Sequence, residues 1–267
     1  MSSTSKRPVY LDLFVLGSFM FGFQLLHGLF TEHVAQGVLS GLMWSSAMIE
    51  LAAYTWLSAL QVGFASATLF SSGIPVKDYA ITAILISLGR GLTWVAYGSL
   101  SYPLVIVFKS SKMLVVMVSA SVILRKRFSA AQYLAALFVV SGLCLVSTAG
   151  IHGQSSENIT RSPVFLSTVT GIIVAGTATV LEGIVSNLQE RSLGREHRSL
   201  SEMLFITNGM GAILLFGVAL CRGEVHALAA SVRQDPATLL WLLATVTLAY
   251  GCGRRPAPLR GSWQRRD

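Results

Sequence analysis

Eight apolar stretches, each able to cross or nearly cross a bilayer as a helix, follow one another along the chain. They lie near Leu11–Phe30, Leu42–Phe64, Tyr79–Leu100, Tyr102–Leu124, Ala131–Ala149, Phe165–Ser186, Met203–Leu220 and Ala237–Tyr250. No other feature constrains the fold as tightly, because hydrocarbon supplies no partner for backbone N–H and C=O groups and admits only helices or closed barrels. Charged residues make up 12% of the 267, about half the share of a soluble domain. A soluble enzyme, a disordered regulator and a secreted disulfide scaffold are excluded. The expected class is all-α, a polytopic membrane helix bundle of about eight transmembrane helices. Cys221–Pro236, between the last two spans, reads as a polar loop. Cys144, Cys221 and Cys252 lie far apart and indicate neither a disulfide framework nor a metal site. Lys6 and Arg7 precede an apolar run too long for a signal core, so no cleavable leader is expected.

The formal charge of +8 is explained by where the basic residues fall. With a cytosolic N-terminus, the cytosolic segments hold Lys6, Arg7, Lys77, Arg125, Lys126, Arg127, Arg191, Arg195, Arg198 and the tail arginines 254, 255, 260, 265 and 266. The opposite side holds Arg161, Arg222 and Arg233. This is the positive-inside pattern, so the basic character reports topology and contact with membrane lipids, and nucleic acid is not expected as a partner. Asn158-Ile159-Thr160 is a glycosylation sequon, and this topology puts it on the luminal side.

Three cations fall inside the spans: Arg90, Lys109 and Lys112. A charge at mid-membrane depth costs roughly 2.5–3.5 kcal/mol on insertion, so each needs a partner or a purpose. Lys109 and Lys112 lie roughly 10 and 15 Å along the fourth helix from Tyr102, at 1.5 Å per residue, and their i,i+3 spacing puts both on one face. A shared anionic ligand would neutralise the pair. A purely structural alternative stays open, in which Glu50 and Glu182 serve as charge partners. Three cations against two carboxylates leave one positive charge unmatched, and guanidinium is a planar fork suited to phosphate or sulfate oxygens. Ser110 and Ser111 either bond a ligand or bond their own backbone carbonyls, the commoner arrangement in membrane helices. Tyr102 either stacks on a base or anchors at the interface. His27 reads as a packed polar residue.

An enzyme is not expected. Asp12, Asp78, Asp235 and Asp267 fall at helix ends, in loops or in the tail, which removes an intramembrane aspartyl site. The sequence lacks His-Glu-x-x-His, and no cofactor or metal is implied. A non-transporting scaffold has little use for mid-membrane cations.

Ser99-Leu100-Ser101-Tyr102-Pro103 followed by Phe108-Lys109-Ser110-Ser111-Lys112 resembles the Tyr-Pro…Lys-x-x-Lys signature of the nucleotide-sugar transporters of the drug/metabolite transporter superfamily. It is closest to the solute-carrier branch that carries 3′-phosphoadenylyl sulfate (PAPS) and UDP-galactose. Gly28-Leu29-Phe30-Thr31-Glu32 resembles that branch's first-helix pattern, with Thr31 where Gln is usual. Ile49-Glu50-Leu51, Ile74-Pro75-Val76-Lys77-Asp78-Tyr79, Arg125-Lys126-Arg127-Phe128, Ser186-Asn187-Leu188-Gln189-Glu190-Arg191 and Ser201-Glu202-Met203 follow in the family's order.

The resemblance implies ten helices in two inverted five-helix repeats with the cargo site between them. It implies antiport of an anionic nucleotide donor, PAPS ahead of UDP-galactose or another UDP-sugar, into the lumen of the Golgi or endoplasmic reticulum. A nucleotide monophosphate leaves in exchange. Lys109 and Lys112 take the phosphate-binding role; Arg90 matches no basic position of the family. In these terms residues 1–150 are the first repeat, 151–250 a partial second repeat of three helices, and 251–267 a basic tail of atypical composition. Two helices fewer than the family's ten point to a chain cut short or mis-assembled, of doubtful transport activity. A homodimer is left open.

Overall fold

The computed structural model describes residues 9–62, 76–100, 102–154, 162–196 and 200–252. These form α1 (Val9–His33), α2 (Met43–Val62), α3 (Val76–Ser99), α4 (Tyr102–Ile123), α5 (Ala130–Gln154), α6 (Ser162–Glu196), α7 (Leu200–Cys221), α8 (Glu224–Gln234) and α9 (Ala237–Cys252). The described residues contain no strand. Each of the eight apolar stretches coincides with a helix, and the chain is an all-α membrane helix bundle. Val76–Ser99, Val169–Leu193 and Ser201–Cys221 are the segments, among the described residues, that are long and apolar enough to span.

Large apolar side chains stay exposed on the surface, and small hydroxyl and amide side chains share the interior with the apolar core. Phe138, Leu145 and Ile213 are each more than 70% exposed, whereas Thr82, Ser87, Thr93, Thr179, Asn187, Thr207 and Asn208 are buried. Most of the buried hydroxyls return a hydrogen bond to a carbonyl four residues back: Thr82 to Asp78, Thr93 to Gly89, Thr179 to Ala175 and Thr207 to Met203, each at 2.8 Å.

α3 is the central element. It packs against α2, α6 and α7, while α4 lies on α6, α5 on α4, and α1 on α9. Close approach of α3 to α6 depends on Gly89, where a Cβ would stand 3.3 Å from Cγ of Glu182. The α4–α6 contact is held by Asn187, 1% exposed, whose amide nitrogen lies 3.0 Å from the Val116 carbonyl and 2.6 Å from the Ser119 hydroxyl. The Asn187 stretch singled out in the sequence is thus a packing clamp.

One expectation is corrected. The segment taken as a polar loop, Cys221–Pro236, contains the helix α8. Its polar and apolar residues alternate with helical period, and eleven residues are too few to register as a span. Gly223, with φ +71°, makes the elbow from α7, a backbone angle that glycine adopts without strain.

The elbow aims Glu224 at the start of α2. Its carboxylate accepts the backbone N–H groups of Trp44 and Ser45, each at 3.0 Å, and takes Arg222 Nε at 3.0 Å. Free N–H groups at a helix N-terminus carry the positive end of the dipole, so a carboxylate there is well placed. The contact puts the start of α2 and the end of α7 on one side of the bundle. On the other side Lys126, in the turn after α4, pairs with Glu190 on α6. Arg125, in that turn, adopts φ +54°.

Candidate functional site

The mid-membrane charges predicted from the sequence converge. α2 supplies Glu50, α3 Arg90, α4 Lys109 and Lys112, and α6 Glu182. Arg90 lies 14 residues into α3 and follows Gly89, so it projects where α2 and α6 both approach. One guanidinium nitrogen, Nη1, stands 3.1 Å from Glu50 Oε1 and its Nε 4.0 Å from Glu182 Oε1. The side chains of Glu50 and Glu182 are 8% and 11% exposed. Arg90 therefore bridges the two buried carboxylates.

Neighbours one turn along the same α3 face complete the network. Trp94 Nε1 donates to the second oxygen of Glu50 at 2.7 Å. The Thr93 hydroxyl lies 3.0 Å from Glu182 Oε1. The Tyr54 ring on α2 lies 5.8 Å under the Arg90 guanidinium. Thr93, Trp94 and Tyr97 were not singled out in the sequence, although their spacing of three, four and seven residues from Arg90 places them on its helix face.

The lysine pair divides. Lys112 Nζ reaches Glu182 Oε2 at 3.3 Å, as the structural alternative foresaw. Lys109 belongs to no ion pair among the described residues; its ammonium sits over the Tyr97 ring, 4.7 Å from the centroid. Tyr97 in turn meets Trp94 edge to face at 6.0 Å. A cation over an aromatic face is stabilised but keeps its charge. The cluster therefore holds three cations and two carboxylates, and the cation without an acid is Lys109.

The remaining candidates are placed as follows. Ser111 bonds the Phe108 carbonyl at 2.6 Å, the backbone arrangement, so its proton is committed. Tyr102 opens α4, with its side chain outside the described residues; Asn158 and residues 253–267 also lie outside them. A separate pocket of about 110 Å³, lined by Asp78, Ile81, Thr82, Leu188, Arg191 and Ser192, opens between the start of α3 and the end of α6. It shares no lining residue with the charge cluster.

Glu50, Arg90 and Glu182 are saturated by one another and by α3 donors, whereas Lys109, with Lys112 one turn away, offers positive charge to an incoming group. The arrangement suits electrostatic capture of an anion. No group of three or more metal-ligating side chains occurs among the described residues.

Comparison with known proteins agrees with the resemblance in the sequence. The model of the UAA transporter family matches residues 12–255. UDP-galactose/UDP-glucose transporter 4 of Arabidopsis thaliana is 27% identical over 236 residues, covering 87% of this chain and 63% of that protein. Adenosine 3′-phospho 5′-phosphosulfate transporter 2 of Homo sapiens is 26% identical over 222 residues, 82% of this chain and 52% of its own length. The protein of the same name from Caenorhabditis briggsae is 23% identical over 229 residues, 84% and 58%. The chain thus spans little more than half the length of these relatives.

Proposed function

The chain belongs to the UAA transporter family, and from that premise we propose that it is a membrane antiporter for an anionic nucleotide-activated donor. The cargo we favour is PAPS, moved from cytosol into the Golgi lumen in exchange for a nucleotide monophosphate. The single observation that carries this reading is the charge count. Among the described residues Arg90, Lys109 and Lys112 are matched by Glu50 and Glu182 alone, and Lys109 rests on an aromatic ring instead of an acid. A scaffold or a packed core gains nothing from an uncompensated ammonium at that depth. A cargo with several phosphate or sulfate oxygens supplies the missing negative charge and competes with Glu182 for Lys112.

The pairing of helices supports two inverted repeats, residues 1–150 and 151–250. Exchanging α1 with α6, α2 with α7 and α3 with α9 turns the α1–α9 contact into α6–α3 and the α2–α9 contact into α7–α3. It returns α2–α7 to itself. The charge cluster draws Glu50, Arg90 and Lys112 from the first of these repeats and Glu182 from the second, and carriers of this architecture bind their cargo between the repeats.

A UDP-sugar is the second reading, supported by the Arabidopsis relative, whose match covers 87% of this chain. Competition decides between the two. The purified chain, reconstituted in proteoliposomes preloaded with AMP or UMP, is given labelled PAPS with unlabelled PAPS, UDP-galactose or UDP-glucose as competitor. Uptake suppressed by PAPS at lower concentration than by either UDP-sugar is expected. Uptake suppressed first by a UDP-sugar transfers the assignment to the second reading, and absence of exchange with every donor overturns both.

A further inference from the structure

Glu182 is the carboxylate of the cluster that stands between two cations on different helices. One oxygen, Oε2, accepts Lys112 Nζ of α4 at 3.3 Å. The other, Oε1, accepts the Thr93 hydroxyl of α3 at 3.0 Å and lies 4.0 Å from Arg90 Nε. That last separation is an ion pair, but it is about one ångström longer than a charge-assisted hydrogen bond of about 2.7–2.9 Å. The carboxylate is thus bonded to Lys112 and one short step from Arg90. Glu50 is placed otherwise, with Arg90 Nη1 at 3.1 Å and Trp94 Nε1 at 2.7 Å both reaching it from α3.

Exposure and packing give the step a direction. The Lys112 side chain is 33% exposed and that of Glu182 11%, so an entering anion meets the lysine before the acid. On the α3 side Glu182 lies against a glycine, since a Cβ at Gly89 would stand 3.3 Å from its Cγ. The Thr93 hydroxyl has one proton and two acceptors, the Gly89 carbonyl at 2.8 Å and Glu182 Oε1 at 3.0 Å, and it can commit that proton to the carboxylate. With Glu182 drawn onto Arg90, Lys112 and Lys109 stand one turn apart on α4 as two ammonium groups, the number that a phosphate dianion balances.

We propose that Glu182 is a resident counter-ion that the cargo displaces: it occupies Lys112 in the empty site and moves onto Arg90 and Thr93 when the phosphates of the cargo take that lysine. The inference rests on the cargo reading above and adds the step by which the site is vacated. Glu182 acts through Lys112 and is a positioning residue. A ligand has to out-compete a built-in carboxylate, so weakly charged groups are refused.

The discriminating variant is Glu182→Gln, which keeps the shape and removes the competing charge. Binding of PAPS, UDP-galactose and UMP to the purified chain is measured by titration, alongside the melting temperature of the empty protein. The empty variant is expected to melt lower, having lost its ion pairs, and yet to bind PAPS about tenfold tighter, the gain from removing a competitor that holds the lysine in about nine molecules of ten. A glutamate that only supports the fold gives the first change without the second. The gain should pass through Lys112, so Lys112→Met with Glu182→Gln binds PAPS no better than Lys112→Met alone. In exchange assays Glu182→Gln lowers both KM and the maximal rate, because cargo leaves more slowly. Wild-type protein that binds these probes while Glu182→Gln binds them equally or more weakly overturns the inference and leaves the cargo reading standing, as does an equal gain in the Lys112→Met background. A wild-type chain that binds none of the three removes the cargo reading itself. If Glu182→Gln does not fold, Glu182→Asp decides, since its carboxylate keeps the charge but falls one methylene short of Lys112: tighter binding of PAPS supports the displaced counter-ion, and unchanged or weaker binding overturns it.

Discussion

Among the described residues carboxylates are buried in two places, and they solve the problem differently. At the α7–α8 elbow Glu224 is 6% exposed and is satisfied from within, by the amides of Trp44 and Ser45 and by Arg222. Nothing is left over. In the middle of the bundle Glu50 and Glu182 are nearly as sheltered, yet among the described residues their cationic neighbours exceed them by one. The elbow is a finished structural joint, and the mid-membrane cluster is one negative charge short. A buried charge therefore indicates a ligand only after its partners have been counted.

The comparison can be broken most forcefully at the lysines. Lys109→Ala or Lys112→Ala is expected to reduce nucleotide exchange in proteoliposomes by about a hundredfold or more, as removal of one member of a desolvated charge pair does. Lys112→Ala should also lower the melting temperature, because Glu182 loses its bond at 3.3 Å. Lys109→Ala should not, having no acid to abandon. Equal melting losses for both would erase the distinction drawn between them.

Glu224→Ala tests the other side. It strips an acceptor from two backbone amides and is expected to destabilise the bundle by about 1–3 kcal/mol, read from thermal unfolding in detergent. Exchange per folded molecule should change little. Loss of exchange at unchanged stability would make the elbow part of the transport machinery.

Smaller still is the effect expected of Lys126→Ala. Its partner Glu190 and Lys126 itself are each about half exposed, and exposed pairs contribute about 0–1 kcal/mol. Ser111→Ala should likewise leave exchange within about twofold, since its hydroxyl serves the Phe108 carbonyl and a backbone hydrogen bond is worth little net.

Much of this was legible in the chain because hydropathy and charge are local. The eight helices follow from long, mostly apolar runs, and Arg90, Lys109 and Lys112 declare themselves by lying where lysine and arginine are expensive. The i,i+3 spacing gave the common face of the two lysines. What spacing within one helix cannot carry is the partner across the bundle. Glu182 choosing Lys112 over Lys109 depends on the α3–α6 approach at Gly89. Glu224 read as a loop residue because its partners, Trp44 and Ser45, lie some 180 positions earlier and offer backbone groups, which leave no trace in side-chain pattern. His27, read as a packed polar residue, bonds the Thr245 carbonyl of α9, a partner that spacing along α1 cannot supply.

The central claim is that Lys109 holds the charge that an anionic nucleotide neutralises. It is tested most directly by the stabilisation that PAPS confers on the purified chain. At about a hundred times its Kd a ligand that binds only the folded state adds about 2.7 kcal/mol. The wild-type chain should melt at a higher temperature as PAPS is raised, and Lys109→Met, folded as well as wild type without ligand, should show no such rise. An equal rise in Lys109→Met would show that the nucleotide binds without that ammonium, and the account would be wrong at its root.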